Sequence, residues 1–93
     1  MAELRYRIFR LLEERERAGS SGLPTAGVIA ETLDEPLRSV VITLRSSAAI
    51  GMIELVEGFG TKDENLSVLL KPPAYIYLEA HLNDNKPVER NSP

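Results

Sequence analysis

The clearest pattern of hydrophobic positions lies in residues 36–49, where apolar side chains recur every three or four residues. That spacing places them along one face of an α-helix and leaves the other positions on the opposite face. The apolar positions are Leu37, Val40, Val41, Leu44 and Ala48. Pro36 suits the first turn of this helix, because the first turn does not use its amide hydrogens internally. Residues 36–49 therefore predict an amphipathic helix.

A shorter helix is predicted immediately before this one. Thr25 is a residue type that commonly caps a helix N-terminus, and the apolar residues after it are spaced for one buried side. These apolar residues are Val28, Ile29 and Leu33. Asp34, Glu35 and Pro36 then interrupt the pattern, because proline in a helix interior removes a hydrogen bond. The segment therefore predicts two helices joined by a tight turn.

The residues after the second helix predict a β-hairpin. Gly51 occupies the position where a helix often ends in a left-handed residue. Residues 52–57 and 66–70 are rich in aliphatic side chains at the two-residue period of a strand. The aliphatic residues that share a face are Ile53 and Leu55 in the first strand, and Leu66, Val68 and Leu70 in the second. The polar, glycine-bounded segment 58–65 predicts the loop between them.

An amphipathic helix is also predicted at the start of the chain, over residues 2–18. Its apolar stripe consists of Leu4, Ile8, Leu11 and Leu12, with Phe9 beside it. Charged residues four positions apart predict surface pairs between Glu3 and Arg7, Arg10 and Glu14, and Glu13 and Arg17. Alternating charges of this kind are typical of a solvated helix face rather than of a carboxylate active site.

A short final helix is predicted after Pro72 and Pro73. We expect it to pack on the first helix or on another subunit through Ile76, Leu78 and Leu82, together with one or both of the nearby tyrosines. His81, near the end of this helix, is expected to be a surface residue. Residues 83–93 are polar and contain prolines, so they predict a frayed tail after a domain formed by residues 1–82.

Several of these positions together resemble the winged helix-turn-helix family of small transcriptional regulators. The resemblance is carried by Pro24-Thr25, Ile29-Ala30, Leu33, Val40, Leu44, Gly51 and Met52-Ile53. It implies an α+β, mainly α fold: a three-helix core, a two-stranded β-wing and a short C-terminal helix. It also implies a short strand near Leu23-Pro24 that pairs with the wing. Ser47 departs from the pattern, because such helices usually carry a large aliphatic residue there, and we expect weaker or tilted packing.

The composition narrows the function classes. The chain has 93 residues, a net charge of −3, one histidine and no cysteine. The length suits one domain, and no apolar run is long enough for a membrane span. With one histidine and no thiolate, no transition-metal site of the usual kind is expected, and no cofactor is indicated. No serine has the context of a nucleophile, so we do not expect an enzyme. The simplest expectation is a cytoplasmic protein.

The net charge of −3 argues mildly against a nucleic-acid binder, but the charge distribution permits a nucleic-acid interface on the second helix of the helix-turn-helix. Residues 36–53 contain Arg38 and Arg45 and no acidic residue, although the chain as a whole is acidic. If residues 36–49 enter the major groove of double-stranded DNA, arginine can contact guanine or phosphate, hydroxyls can contact bases or phosphate, and isoleucine can touch a thymine methyl. The predicted DNA-binding residues are Arg38, Ser39, Ile42, Thr43, Arg45, Ser46 and Lys62.

Two functions remain open from the sequence. The first is sequence-dependent DNA binding by a transcriptional regulator, expected to be a homodimer because one domain covers one half-site. The alternative is a winged-helix module that binds a protein and not DNA. The apolar residues Ile42 and Ala49 on the outward face would suit a protein contact, and Lys62 on the wing is accompanied by Asp63 and Glu64.

Overall fold

Four helices and a two-stranded antiparallel sheet form the fold in a computed structural model, which describes residues 3–19, 22–57 and 62–84. The helices are α1 Leu4–Arg17, α2 Ala26–Leu33, α3 Leu37–Ala49 and α4 Pro72–Asp84; the strands are β1 Ile53–Val56 and β2 Ser67–Leu70, with a 3-10 turn at Asp63–Asn65. This order confirms the predicted fold class: a mainly helical α+β winged helix with a three-helix core, a two-stranded wing and a C-terminal helix. Within the described part, no helix has the length and apolar character needed to cross a membrane.

The helix boundaries follow the local signals of the sequence. The Thr25 hydroxyl accepts a hydrogen bond from the Val28 amide at 3.3 Å, which satisfies one free donor at the start of α2. Asp34 ends α2 in a left-handed conformation with φ of 56°. Gly51 follows α3 with φ of 80°, a conformation that costs glycine little because it has no Cβ. These contacts confirm the predicted cap, turn and exit.

The core lies between α1, α2, α3 and the inner face of the sheet. Its fully buried side chains include Ile8, Phe9, Ile29, Val40, Leu44 and Val68. The prediction that Val28 lies on the buried side of α2 is wrong, since Val28 is 42% exposed. Ala26, Ile29 and Ala30 face the core instead, because α2 packs closely through its small residues.

Ser47 is the one buried polar residue of the described core, with no exposed surface. Its hydroxyl donates a hydrogen bond to the Thr43 carbonyl, one turn earlier in α3, at 2.8 Å. A serine can satisfy its hydroxyl in this way inside a helix, so it can be buried without an unpaired donor. The small side chain therefore occupies the position where the family pattern has a large aliphatic residue.

The wing pairs in the register Ile53 with Leu70 and Val56 with Ser67. The expected short strand before α2 is reduced to one bridge, between Thr25 and Ser67. Two backbone hydrogen bonds flank it, from the Val68 amide to the Pro24 carbonyl at 3.0 Å and from the Ala26 amide to the Leu66 carbonyl at 2.8 Å. The start of α2 is thus anchored to β2. Residues 58–61 of the predicted loop lie outside the described residues.

Helix α4 packs on α1, one of the two partners that the sequence left open, and it buries Leu78 as predicted but not Ile76. Ala74 and Leu78, four positions apart, are buried, whereas Ile76 is 70% exposed. Residues two apart on a helix point in nearly opposite directions, so the burial of Ala74 and Leu78 turns Ile76 outward. Tyr75 and Tyr77 are half-buried beside the core. The Leu82 side chain lies outside the described part.

Three further details of the terminal helices differ from the predictions. Arg7 forms an ion pair with Glu35 at 2.6 Å rather than with Glu3, whereas the pairs of Arg10 with Glu14 and Arg17 with Glu13 are present. His81 is half-buried, and its ring stacks on Tyr6 with centroids 5.3 Å apart. Helix α4 continues to Asp84, so the first two residues of the predicted tail are helical. The remaining residues, 85–93, are outside the described ranges.

Candidate nucleic-acid interface

The outward face of α3 carries a line of exposed side chains opposite its buried face. Arg38, Ile42 and Arg45 are spaced four and three positions apart, and all three are exposed. Ile42, at the centre of the line, is 60% exposed. The opposite face is fixed in the core by Val40, Leu44 and Ser47. The exposed line therefore has a rigid support, which a surface that recognises another molecule requires.

The three predicted hydroxyl residues lie at the side of this line. The Thr43 hydroxyl donates to the Ser39 carbonyl at 2.9 Å, and the Ser46 hydroxyl donates to the Thr43 carbonyl at 3.0 Å. The hydroxyl hydrogens of Thr43 and Ser46 are thus donated to carbonyl groups of the helix backbone. A hydroxyl oxygen that donates its hydrogen still has lone pairs, so these groups present acceptors to a neighbouring molecule.

Arg5 is a cation at this surface that the sequence pattern did not indicate. Its Nη2 donates to the Ser46 hydroxyl oxygen at 2.9 Å, across 41 residues of sequence. Helix α1 brings it there because the buried stripe of Ile8, Phe9 and Leu12 fixes the orientation of α1 against α3. No short-range sequence signal distinguishes Arg5 from the other arginines of α1. Only the packing of the two helices adds it to the site.

The acidic 3-10 turn lies beside the opposite end of the exposed line. Arg45 Nη2 is 3.1 Å from Asp63 Oδ1, and both side chains are more than half exposed. Gly27 allows this turn to approach α2, since a Cβ at Gly27 would lie 3.1 Å from the Glu64 carbonyl oxygen. Lys62 is exposed next to Asp63. The wing therefore brings one cation and one competing carboxylate close to α3.

An open depression of about 470 Å³ lies along the outer surface of α3 between the exposed line and the 3-10 turn. Leu37, Val41 and Ile42 supply its apolar lining. Arg38, Arg45 and Asp63 supply its charged groups. The depression combines an apolar surface with flanking cations, a composition that suits either a base edge with a methyl group or an apolar side chain of a protein.

Six of the seven residues predicted from the sequence lie on α3, and Arg5 joins them through its hydrogen bond to Ser46, whereas Lys62 lies on the wing beside Asp63. We call the surface formed by Arg5, Arg38, Ser39, Ile42, Thr43, Arg45 and Ser46 the α3 face. Its three arginines are accompanied by no acidic residue within α3 itself. Among the described residues, Asp63 forms an ion pair with its Arg45, and Glu3 lies with Arg5 and Thr43 around a second depression. The α3 face is therefore positive on an acidic protein.

No protein-family model matches the chain, and no curated protein matches it. The order and packing of the elements show a mainly helical α+β fold with a winged-helix-like layout.

Proposed function

We propose that this protein is a transcriptional regulator that binds double-stranded DNA by placing α3 in the major groove. The observation that supports this proposal is the exposed line of Arg38, Ile42 and Arg45 on a helix whose other face is fixed in the core. An α-helix fits the major groove, where each base pair presents a distinct pattern of donors, acceptors and methyl groups. A protein of this kind would act in the cytoplasm.

The side chains of the α3 face have separable roles in the proposed complex. Arg38 and Arg45 contact guanine edges or phosphates, and Ile42 contacts a thymine methyl group between them. Ser39, Thr43 and Ser46 offer hydroxyl groups at the side of the helix, and Arg5 contacts a phosphate beside Ser46. Lys62 makes a weak phosphate contact, because the carboxylate of Asp63 lies next to it and repels phosphate.

A salt titration of DNA affinity tests this proposal. Each phosphate neutralised by a cation contributes about −0.9 to the slope of log affinity against log salt concentration. With one to three of the four cations Arg5, Arg38, Arg45 and Lys62 contacting phosphate and the others contacting bases, we expect a slope between about −1 and −3. The measurement is fluorescence anisotropy with a labelled duplex, first a mixed-sequence pool and then sites enriched from it. A slope near zero would contradict DNA binding.

A second candidate function is protein binding through the same face. Two observations favour it. Ile42 is 60% exposed beside the apolar lining of the depression. Arg45 already forms an ion pair with Asp63, which leaves less of its positive charge for phosphate. Exposed aliphatic groups surrounded by polar residues are typical of protein contact sites. The variants Ile42→Asp and Arg38→Ala distinguish the candidates. If DNA is the partner, both weaken DNA affinity, whereas a protein partner would depend on Ile42 and leave DNA affinity negligible in every variant.

A further inference from the structure

Arg7 of α1 contacts the turn between α2 and α3 at two points. Its Nη1 is 2.6 Å from Glu35 Oε2, and its Nη2 donates to the Leu33 carbonyl oxygen at 3.1 Å. These partners lie 28 and 26 residues away in the sequence. The guanidinium group can make both contacts at once, because its donors are held in a rigid, planar fork. The Leu33 carbonyl is at the end of α2, where the helix supplies no partner for it.

Arg7 reaches this turn although a closer partner is available within α1. Arg10, on the same helix, forms an ion pair with Glu13 one turn away. Glu3 lies four positions before Arg7, a spacing at which such pairs form on a helix surface. Arg7 is paired with Glu35 instead, and the two side chains are only 34% and 28% exposed. A partly buried pair is screened less by salt than an exposed one, so this contact between elements is a strong one.

The turn that Arg7 contacts is itself firmly joined to α3. The Glu35 amide donates to the Ala30 carbonyl at 2.9 Å, and Asp34 is left-handed, as in a Schellman helix ending. Pro36 follows with a ring that fixes its φ, and its carbonyl accepts a hydrogen bond from the Val40 amide at 3.2 Å. Little rotational freedom remains between Glu35 and the first turn of α3. A contact that holds Glu35 therefore also holds the start of α3.

Arg5 provides a second attachment near the other end of α3, through its hydrogen bond to Ser46 at 2.9 Å. Pro36 and Ser46 are about 15 Å apart along the helix axis, from the α-helical rise per residue. Arg5 and Arg7 are two positions apart in α1, so their side chains extend in nearly opposite directions. Helix α1 thus contacts both ends of α3. The Arg5 contact is exposed, whereas the Arg7 contact is partly buried.

We propose that Arg7 is a positioning residue that fixes the orientation of α3 against α1 and thereby the direction of the α3 face. This proposal rests on the proposed function, because the α3 face is the surface that would contact DNA. The buried side chains Ile8, Val40 and Leu44 hold the helices together, but apolar burial has no preferred direction. The forked contact of Arg7 does, because charge-assisted hydrogen bonds require a defined geometry.

The first test uses the guanidinium signals of the ¹⁵N-labelled wild-type protein without DNA. The two Nη groups of a guanidinium that rotates freely about its Nε–Cζ bond give one averaged signal. Because Glu35 and Leu33 each hold one Nη group of Arg7, we expect separate Nη1 and Nη2 signals at low temperature. The exposed Arg38 is the internal control and should give an averaged signal. An averaged signal from Arg7 as well would overturn the proposal.

The second test measures the orientation of α3 relative to α1 by residual dipolar couplings of the free protein. In Arg7→Gln each helix should keep its own internal couplings, but the two helices should no longer fit the wild-type orientation. Glu35→Ala should displace α3 in the same direction, and the double variant should add little, because both substitutions remove the same interaction. Arg10→Gln is the matched control: its side chain is 37% exposed and pairs within α1, so α3 should keep the wild-type orientation.

Arg7→Lys keeps the fold measurable if Arg7→Gln does not fold, since lysine retains the charge and a hydrocarbon stem. A single ammonium group does not replace the planar fork, so α3 should be displaced in the same direction but by less. Wild-type orientation of α3 in both Arg7→Lys and Glu35→Ala would overturn the proposal. Equal displacement in Arg10→Gln would also overturn it, because it would indicate a general effect of charge.

DNA affinity connects this role to the proposed function. Arg7→Gln should weaken binding to an enriched duplex at least about threefold, the lower range of coupling between contacting residues. The salt slope should equal that of the wild type, because Arg7 contacts protein and not phosphate. A decrease of about one in the magnitude of the slope would overturn the positioning role and show a direct phosphate contact. If the wild-type protein does not bind DNA, the proposed function fails, whereas the guanidinium signals and the dipolar couplings still decide the role of Arg7.

Discussion

Arg38 and Arg45 lie seven residues apart on one face of α3, but their surroundings differ. Arg45 is paired with Asp63 at 3.1 Å. Arg38 is exposed and belongs to no ion pair between described residues. An exposed ion pair is worth only about 0.2–1 kcal/mol, so Asp63 weakens the binding of Arg45 to DNA but does not prevent it. Of the two arginines, Arg38 is the better first contact for DNA.

The first prediction concerns Arg38→Ala. If Arg38 contacts a base, the substitution should cost about 1–3 kcal/mol of binding free energy and relax the preference at one base pair. If it contacts a phosphate, affinity for all sequences should fall alike and the magnitude of the salt slope should decrease by about one. The free energy of unfolding should change by less than about 0.5 kcal/mol, because the side chain is exposed. Unchanged DNA affinity would show that α3 presents a different face.

The second prediction concerns Asp63→Asn. Removal of this carboxylate frees Arg45 and removes a repulsive charge near the proposed phosphate path, so DNA affinity should increase severalfold and the salt slope should steepen by about one. Glu64→Gln is the matched control, because it removes the same charge from the neighbouring residue without a pair to Arg45. Equal gains in the two variants would show a general effect of net charge. Weaker binding by Asp63→Asn would show that the ion pair orients Arg45 productively.

The third prediction concerns Ile42 and the thymine methyl group. Once a preferred site is known, deoxyuridine in place of the thymine facing Ile42 should weaken binding by about 0.8 kcal/mol, the value of one buried carbon group. In Ile42→Ala the same replacement should have little effect, because the contact is already absent. The difference between the two costs measures the coupling directly. Equal costs in wild type and variant would place Ile42 away from the bases.

At the scale of the elements, the sequence predicted those features that depend on short-range signals. Thr25, Asp34 and Gly51 determine where α2 begins, where it ends and where α3 ends, and each acts through its own backbone or its nearest turn. The burial of Val28 and Ile76 was predicted wrongly for a different reason. In a short helix the periodicity allows more than one buried face, and the packing partner decides between them.

In the candidate site, too, some residues follow from the local sequence and others are brought in only by the packing of the elements. The exposed line on α3 follows from the helical period, so Arg38, Ile42 and Arg45 could be selected from the sequence. Arg5 and Asp63 reach α3 from 41 and 18 residues away, respectively. Such contacts are decided by the docking of whole elements, and no local pattern encodes them.

The fourth prediction concerns the attachment of α4 to α1 at high pH. The Tyr75 hydroxyl donates to Glu16, and burial together with this carboxylate raises the pKa of Tyr75 to about 12 from 10.0. The Tyr77 hydroxyl donates to Glu3, and burial followed by this contact raises its pKa further. Because the folded protein favours neutral tyrosines, their stabilising contribution is complete below pH 10 and is lost as the pH rises towards 12 and above.

Chemical denaturation at several pH values measures this effect. The wild-type free energy of unfolding should fall above pH 10, and the double variant Tyr75→Phe with Tyr77→Phe should fall less steeply over the same range. Lysine titration occurs in the same range but is common to both proteins, so the difference between them isolates the tyrosines. Parallel curves would show that the two hydroxyls titrate alike in the folded and unfolded chains.

At the scale of the whole molecule, the proposed function has a consequence for assembly. One helix-turn-helix contacts one half-site, and regulators that read two-fold sites supply two copies. Helix α4 packs on α1 and exposes Ile76 at 70% on its outer side. A large aliphatic side chain this exposed on a terminal helix suits the contact between two copies.

The last prediction is therefore that the protein is a homodimer that uses α4. Sedimentation equilibrium should give the mass of two chains at micromolar concentration. Ile76→Lys should yield a folded monomer, because a charge at the contact opposes association but costs little in an isolated chain. Ile50→Lys is the matched control, since Ile50 is 60% exposed at the end of α3, and it should remain dimeric. DNA binding by the dimer should require two half-sites about 10 base pairs apart, and Ile76→Lys should lose this requirement along with affinity. A wild-type protein that stays monomeric at high micromolar concentration would contradict the prediction and confine each molecule to a single half-site.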